Sequence, residues 1–178
     1  MSIISFGSYK NNSTFKVLEE RNMRASAGIM LLLGIIAFIN GFILNNYIAI
    51  TYISGFLSLN FLIGLFINPK YSPTMFIGWL FVRKQTPLYI GAIQKKFAWS
   101  LGLTMVAVVF GLSFLLLNDV TYFDPVCMLC LICLILLFFE VAFGICIGCK
   151  LYYLFIFLKI FKEPAVKPNC MGDSCEVD

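Results

Sequence analysis

Four long apolar stretches, separated by short polar segments, set the pattern of this chain. Three of them, residues 25–44, 47–67 and 97–117, contain no charged side chain, and the fourth, from about 126 to 149, contains only Glu140. A helix needs about 20 apolar residues to cross the hydrocarbon core of a bilayer. The pattern therefore predicts an all-α membrane protein with four transmembrane helices.

The polar segments divide the chain into three parts. Residues 1–24 form an N-terminal segment, 25–161 the four-helix transmembrane domain, and 162–178 a flexible tail. Ser13 is a good N-cap for a short surface helix over residues 13–24, although this segment could equally be only a positively charged flank. The first apolar run begins too late and is too long for a cleavable signal peptide, so we expect it to remain in the mature protein.

The connection between the second and third spans contains a further helix signal. Ser72 followed by Pro73 is typical of a helix start, which predicts a helix over residues 74–82 that is too short to span a bilayer. Its aromatic side chains are Phe76, Trp79 and Phe81. We expect this helix to lie at the cytoplasmic membrane interface; the alternative is that its aromatic residues cap the bundle.

Positive charge is confined to one side of the predicted bundle. All 13 Lys and Arg residues lie before the first span, between the second and third spans, or after the fourth. Because short cytoplasmic loops retain positive charge, both termini are expected in the cytoplasm. A hydrophobic content of 61% agrees with a multi-pass protein surrounded by membrane lipid, and the net charge of +4 requires no nucleic-acid partner.

The chain contains no histidine, which limits the chemistry it can carry out. Histidine-dependent triads, His-ligated haem and mixed Cys/His zinc sites are excluded. A transition metal would need thiolate ligands, but Cys130 and Cys146 would lie about 24 Å apart on one continuous helix. We therefore predict no metal ligands and assign no cofactor, and we look for function in the thiols and in Glu140.

Three cysteines, Cys127, Cys130 and Cys133, form an outer thiol cluster at the start of the fourth span. A helix N-terminus favours the thiolate, and one interpretation is a disulfide between Cys127 and Cys130 where the turn is not fully helical. The other is that all three are small side chains at a helix interface. Cys133, deep in the span, is expected to be inert. The tail thiols, Cys170 and Cys175, either shuttle to the inner cysteines or belong to an ordinary polar terminus.

The inner thiols, Cys146 and Cys149, form a C-x-G-C sequence followed directly by Lys150. We expect the lysine to favour a thiolate and the neighbouring glycines to open the backbone. On an ideal helix both thiols point away from Glu140, so this carboxylate contacts them only if the helix bends at the glycines. We assign catalytic roles to Cys146, Cys149 and Glu140, supported by Lys150, Gly144, Gly148 and Tyr152.

These residues resemble an uncharacterised bacterial membrane family, domain of unknown function 4395. The shared pattern is an acidic residue, a glycine and C-x-G-C-[KR]-x-Y, and residues 20–25 and 87–98 agree as well. The resemblance covers nearly the whole chain but not the outer cluster or the tail cysteines. It implies a helical bundle in a bacterial inner membrane, with a soluble thioredoxin- or rhodanese-like protein as companion, and it implies no established activity.

Two main classes of function remain open from the sequence. In the first, the protein handles sulfur: it exchanges disulfide or persulfide with a partner, or passes a reduced sulfur compound across the membrane, through Cys146 and Cys149. In the second, it is a membrane anchor or assembly subunit with structural cysteines. Thiolate-metal binding or transport is a third, weaker class. The sequence leaves open whether the chain is an enzyme and whether it forms a homo-oligomer.

Overall fold

Four long helices form the body of the protein. The computed structural model describes residues 6–9 and 16–160, and among these, four helical segments are long and apolar enough to cross a membrane. This confirms the predicted all-α architecture with four spans. The four helices are α1 (Glu20–Phe42), α2 (Tyr47–Leu62, continued by a π-helical turn at Ile63–Ile67), α4 (Ala92–Asn118) and α5 (Phe123–Ala142).

Shorter elements complete the fold and tie its ends together. Helix α3 (Pro73–Val82) lies between the second and third spans, and α6 (Ile147–Phe157) follows the fourth. Strands β1 (Val17–Glu19) and β2 (Tyr89–Gly91) pair antiparallel. Because β1 leads directly into α1 and β2 into α4, this pairing holds the starts of the two helices side by side.

The N-terminal flank differs from the surface helix that we considered. Residues 17–19 are extended, and the backbone N–H of Glu20 donates to the carbonyl of Leu88 at 2.8 Å. Val17 and Leu18 are almost fully buried, which explains why this stretch pairs with β2 instead of lying on a membrane surface. Ser13, the proposed N-cap, and the tail thiols Cys170 and Cys175 lie outside the described residues.

The two ends of the bundle hold different elements. The motif end is the one at which α1 and α4 begin and α5 stops; the far end holds the turns after α1 and α4. Helices α1 and α2 pack together, α2 packs along α4, and α5 packs on both α1 and α4. Within this core the rings of Phe61 and Trp99 meet edge to face with centroids 5.3 Å apart, and Gly64 and Gly102 give these rings room.

A buried asparagine anchors α3 to the bundle. The side-chain oxygen of Asn60, which is fully buried, accepts hydrogen bonds from the Ser72 hydroxyl at 2.9 Å, the Thr74 hydroxyl at 2.9 Å and the Thr74 backbone N–H at 3.0 Å. Ser72 does precede the helix as predicted, but its hydroxyl bonds to Asn60 rather than capping α3. Buried polar groups are costly without partners, so this network fixes where α3 begins.

Helix α3 presents two different faces. Thr74, Met75, Gly78 and Val82 are buried, and the helix packs on α1. The aromatic residues on which we based the interfacial prediction, Phe76, Trp79 and Phe81, are exposed. They therefore do not cap the bundle, and the interfacial position of α3 stays a prediction.

Candidate functional site

The inner cysteines lie at a break in the helical backbone. We expected one continuous segment to Cys149, but α5 stops at Ala142 and α6 begins at Ile147. Gly144 lies at the break with a φ of +69°, a left-handed backbone conformation that residues with a Cβ rarely adopt. Cys146 consequently becomes the N-cap residue of α6, and Cys149 lies in the first turn. The bend that would let Glu140 approach the thiols is therefore present.

The two inner thiols are in direct contact. Both are free and half-buried, and the Cys149 thiol donates a hydrogen bond to the Cys146 sulfur across 2.7 Å. This bond and the positive charge of Lys95 lower the pKa of Cys146, whereas donating the same bond, together with burial, raises the pKa of Cys149. The pair is thus polarised, with Cys146 as the preferred thiolate and Cys149 as the thiol that stabilises it.

A buried ion pair stands beside the thiols. The Lys95 ammonium donates to a Glu140 carboxylate oxygen at 2.5 Å, with the side chains only 7% and 20% exposed respectively. The charge of Lys95 acts on both inner thiols. Lys150, to which we gave this role, is exposed at the surface instead. The hydrogen bond also satisfies Glu140 inside the bundle, as a carboxylate in an apolar segment requires.

Lys95 is a residue that sequence reasoning missed, because the charge pattern assigned it to a loop. Helix α4 begins at Ala92, so Lys95 already lies inside it. Its position, three residues before Ala98 and seven before Gly102, puts it on the same helix face as these small residues. Such small residues mark the face that packs closely on neighbouring helices, and they are the signal that separates Lys95 from its exposed neighbour Lys96.

Helix α6 is held against α4 by close packing and one polar contact. A Cβ on Gly148 would lie 2.8 Å from the Cβ of Ala98, so only glycine allows this approach. The Gln94 side-chain amide donates to the Tyr153 hydroxyl at 2.9 Å. Tyr152, which we named as a supporting residue, packs its ring against Phe97 with centroids 5.6 Å apart. These contacts fix the α6 N-terminus, and with it the thiol pair, beside Lys95.

Arg24 closes the site from α1. Its guanidinium packs on the backbone of Gly144 and pairs with Glu20 at 2.8 Å. A Cβ at Gly144 would collide with this guanidinium. Glycine at this position therefore serves both the left-handed turn and the contact with α1. Neither Glu20 nor Arg24 was among the predicted site residues.

The outer cysteines take different positions. All three are free thiols, so the Cys127–Cys130 disulfide is not formed in this structure. Cys130 and Cys133 line a cavity of about 130 Å³ between the helices, and Glu140 and Cys146 line the same cavity. Within the part of the chain that the structure describes, no group of three or more Cys, Asp or Glu side chains could hold a metal ion.

Replacing Gly144 with alanine is expected to destabilise the protein. Forcing a residue with a Cβ into the left-handed region costs roughly 1–3 kcal/mol, and Arg24 must also move. The free energy of unfolding in mixed micelles measures the loss. Gly111→Ala is the matched control, because nothing lies within 4 Å of its added Cβ; equal stabilities of the two variants would contradict the role given to Gly144.

The residues of this site come from the three segments that carry the family resemblance. Glu20 and Arg24, Gln94 and Lys95, and the stretch from Glu140 onward meet at the motif end. The sequence profile of the family described as Domain of unknown function (DUF4395) matches residues 18–156. Comparison with curated proteins and with solved structures gives no significant match. Because the profile covers most of the chain, including every residue of the site, the protein belongs to the family DUF4395.

Proposed function

We propose that this membrane protein exchanges disulfide or persulfide sulfur with a soluble partner through Cys146 and Cys149. The observation that carries the proposal is the polarised pair itself. The Cys149 thiol is hydrogen-bonded to the Cys146 sulfur across 2.7 Å, at the N-terminus of α6 and beside the buried Lys95. Helix N-termini and nearby cations are the surroundings that make cysteines reactive. Structural cysteines in an apolar helix need none of these features.

The exchange follows from the different roles of the two thiols. The Cys146 thiolate attacks one sulfur of a partner disulfide, forming a mixed disulfide and releasing the partner's other sulfur as a thiol. Cys149 then gives up its proton and attacks Cys146, which forms the Cys146–Cys149 disulfide and releases the reduced partner. This chain loses two electrons and the partner gains them. With a persulfide donor, Cys146 instead takes the outer sulfur and the donor leaves as a thiolate, without net oxidation.

Lys95 and Glu140 are the supporting groups. The ammonium of Lys95 stabilises negative charge on Cys146 and, in the second step, on Cys149. Glu140 holds that ammonium in place and balances its charge within the bundle. Their contribution is electrostatic, since the bond-forming atoms are all sulfur.

We assign the protein to a bacterial inner membrane, with both termini and the thiol pair on the cytoplasmic side. The basis is the distribution of charge along the sequence: every Lys and Arg lies before the first apolar run, between the second and third, or after the fourth. A soluble partner of the thioredoxin or rhodanese class would then meet Cys146 in the cytoplasm, where thiols are kept reduced and Cys146 is available as a thiolate. The exposed aromatic face of α3 is expected to lie in the interfacial layer of the same leaflet.

The test measures two things: the oxidation state of the inner thiols and their accessibility to a reagent from the cytoplasmic side. Mass spectrometry of protein purified without reductant should find a disulfide or persulfide at Cys146 and Cys149 that a reductant removes. On inverted vesicles, a membrane-impermeant alkylating reagent should modify Cys146 far faster than Cys133. If both inner cysteines stay unmodified under oxidant and persulfide donors, or if Cys133 reacts as fast, the sulfur-handling function fails and the anchor function replaces it.

A further inference from the structure

A cavity between the helices extends from Cys146 into the bundle. It occupies about 130 Å³ and is bounded by α1, α2, α4, α5 and the start of α6. Its α5 lining runs from Cys130 to Glu140, which corresponds to about 15 Å along the helix axis at 1.5 Å per residue. It is therefore an elongated, partly open space between the helices.

The two ends of this cavity are different. At the motif end its lining includes Cys146, Glu140 and Gly148. Toward the far end, Leu116 and Val126 are each only 1% exposed and belong to one hydrophobic cluster with Ile50 and Val109, which also line the cavity. The packed cluster closes the far end, and Cys146 supplies the reactive thiol of the lining.

The lining determines which molecules fit. It is mostly aliphatic and aromatic, and an apolar cavity of about 150 Å³ stays dry and takes up small neutral molecules such as benzene or xenon. Anions are excluded because they would lose their hydration. The lining is also rich in soft, polarisable sulfur. The sulfur-bearing residues are Met23, Met30, Met105, Cys130, Cys133 and Cys146.

We propose that this cavity is a binding site for uncharged hydrogen sulfide, which it holds against Cys146. The assignment follows from the size of the cavity, from its apolar and sulfur-rich lining, and from the reactive Cys146 thiol in that lining. This assignment rests on the proposed function, because attack of Cys149 on a Cys146 persulfide forms the Cys146–Cys149 disulfide and releases hydrogen sulfide beside the cavity. The binding itself requires no reaction and is measured independently.

The binding test uses xenon as the probe and sulfide as the competitor. Purified protein in nanodiscs is expected to shift the ¹²⁹Xe resonance, and added sulfide should reverse the shift. The reversal should be stronger at mildly acidic than at alkaline pH, because only the neutral form enters. If xenon binds and sulfide does not displace it, or if displacement is stronger at alkaline pH, the proposal is overturned.

Variants on α4 locate the site. Val106 lines the cavity, so Val106→Phe should fill it and weaken both xenon binding and sulfide competition by about tenfold or more. Val108→Phe, on the opposite, exposed face of the same helix, is the matched control and should change neither. Val106→Ala enlarges the space and should retain binding, which keeps the test decisive if the larger side chain impairs folding. Unchanged binding in a folded Val106→Phe variant would overturn the proposal.

The two proposals fail in different ways. If sulfide displaces xenon but Cys146 and Cys149 exchange with no thiol, disulfide or persulfide, the binding site stands and the proposed function falls. If the pair exchanges with soluble dithiols while sulfide leaves bound xenon in place, the function stands and the sulfide site is overturned. In Val108→Phe, exchange with a bulky dithiol should proceed at the wild-type rate, because this exposed position lies outside both the cavity and the thiol pair.

Discussion

Replacing Lys95 with methionine will destabilise the protein and slow the reaction of its inner thiols. The substitution leaves Glu140 in an apolar bundle without its cation. Breaking a fully buried ion pair in this way costs roughly 3–5 kcal/mol, and we expect the lower part of that range because Glu140 is 20% exposed. Unfolding in mixed micelles measures this loss, and Lys96→Met, which changes an exposed lysine one position away, is the control.

The double variant Lys95→Met/Glu140→Leu separates stability from reactivity. Removing both charges abolishes the unpaired carboxylate, so stability should recover toward wild type. The thiols, however, still lack a cation, and their reactivity should stay low. If the single variant is as stable as Lys96→Met, the ion pair is not a structural element; if the double variant regains full reactivity, Lys95 does not act on the thiols.

The four spans were predictable, whereas the position of Lys95 was not. A run of about 20 apolar residues is a strong local signal, since few other structures accommodate it. The sequence pattern assigns a lysine next to such a run to a loop, because a charge inside a transmembrane helix is costly unless it is paired. Its partner, Glu140, is 45 residues away in sequence, so the pairing is a tertiary property that the local pattern does not contain.

The helix break illustrates the same limit at shorter range. Gly144 and Gly148 look alike in the sequence, and both were named as supporting residues. In the structure, Gly144 takes the left-handed turn that ends α5, and Gly148 allows α6 to approach Ala98. Which glycine turns depends on the guanidinium of Arg24 and on the neighbouring helix, so the sequence pointed to both glycines without predicting what each of them does.

The thiol pair itself gives the second large effect: Cys146→Ser will abolish exchange with a partner disulfide, whereas Cys149→Ala will trap the partner as a stable mixed disulfide. Cys146 is the attacking thiolate, so without it no first bond forms. Cys149 only resolves the intermediate, so its loss stops the reaction one step later. Non-reducing gels and mass spectrometry distinguish the two outcomes, with Cys133→Ser as a control that should behave like wild type.

The pH dependence of alkylation tests why Cys146 reacts before Cys149. The hydrogen bond from Cys149 and the charge of Lys95 hold the pKa of Cys146 below the ordinary value of 9.0, so its thiolate should be present, and react, at lower pH than an ordinary thiol. Cys149→Ala and Lys95→Met each remove one of these causes, and each should move the midpoint of the rate profile to higher pH. A nearby charge shifts a pKa by about 1–3 units, so the Lys95→Met rate at neutral pH should fall by about tenfold or more.

The opposite trapping result would exchange the roles assigned to Cys146 and Cys149. A trapped partner in Cys146→Ser rather than in Cys149→Ala would make Cys149 the nucleophile. That outcome is not expected, because Cys149 donates the hydrogen bond to the Cys146 sulfur, and donating this hydrogen bond raises the pKa of Cys149. Unchanged pH profiles in both variants would mean that neither the bond nor the lysine polarises the pair. The two cysteines would then be packing residues at a helix break, and the protein would act as a membrane anchor.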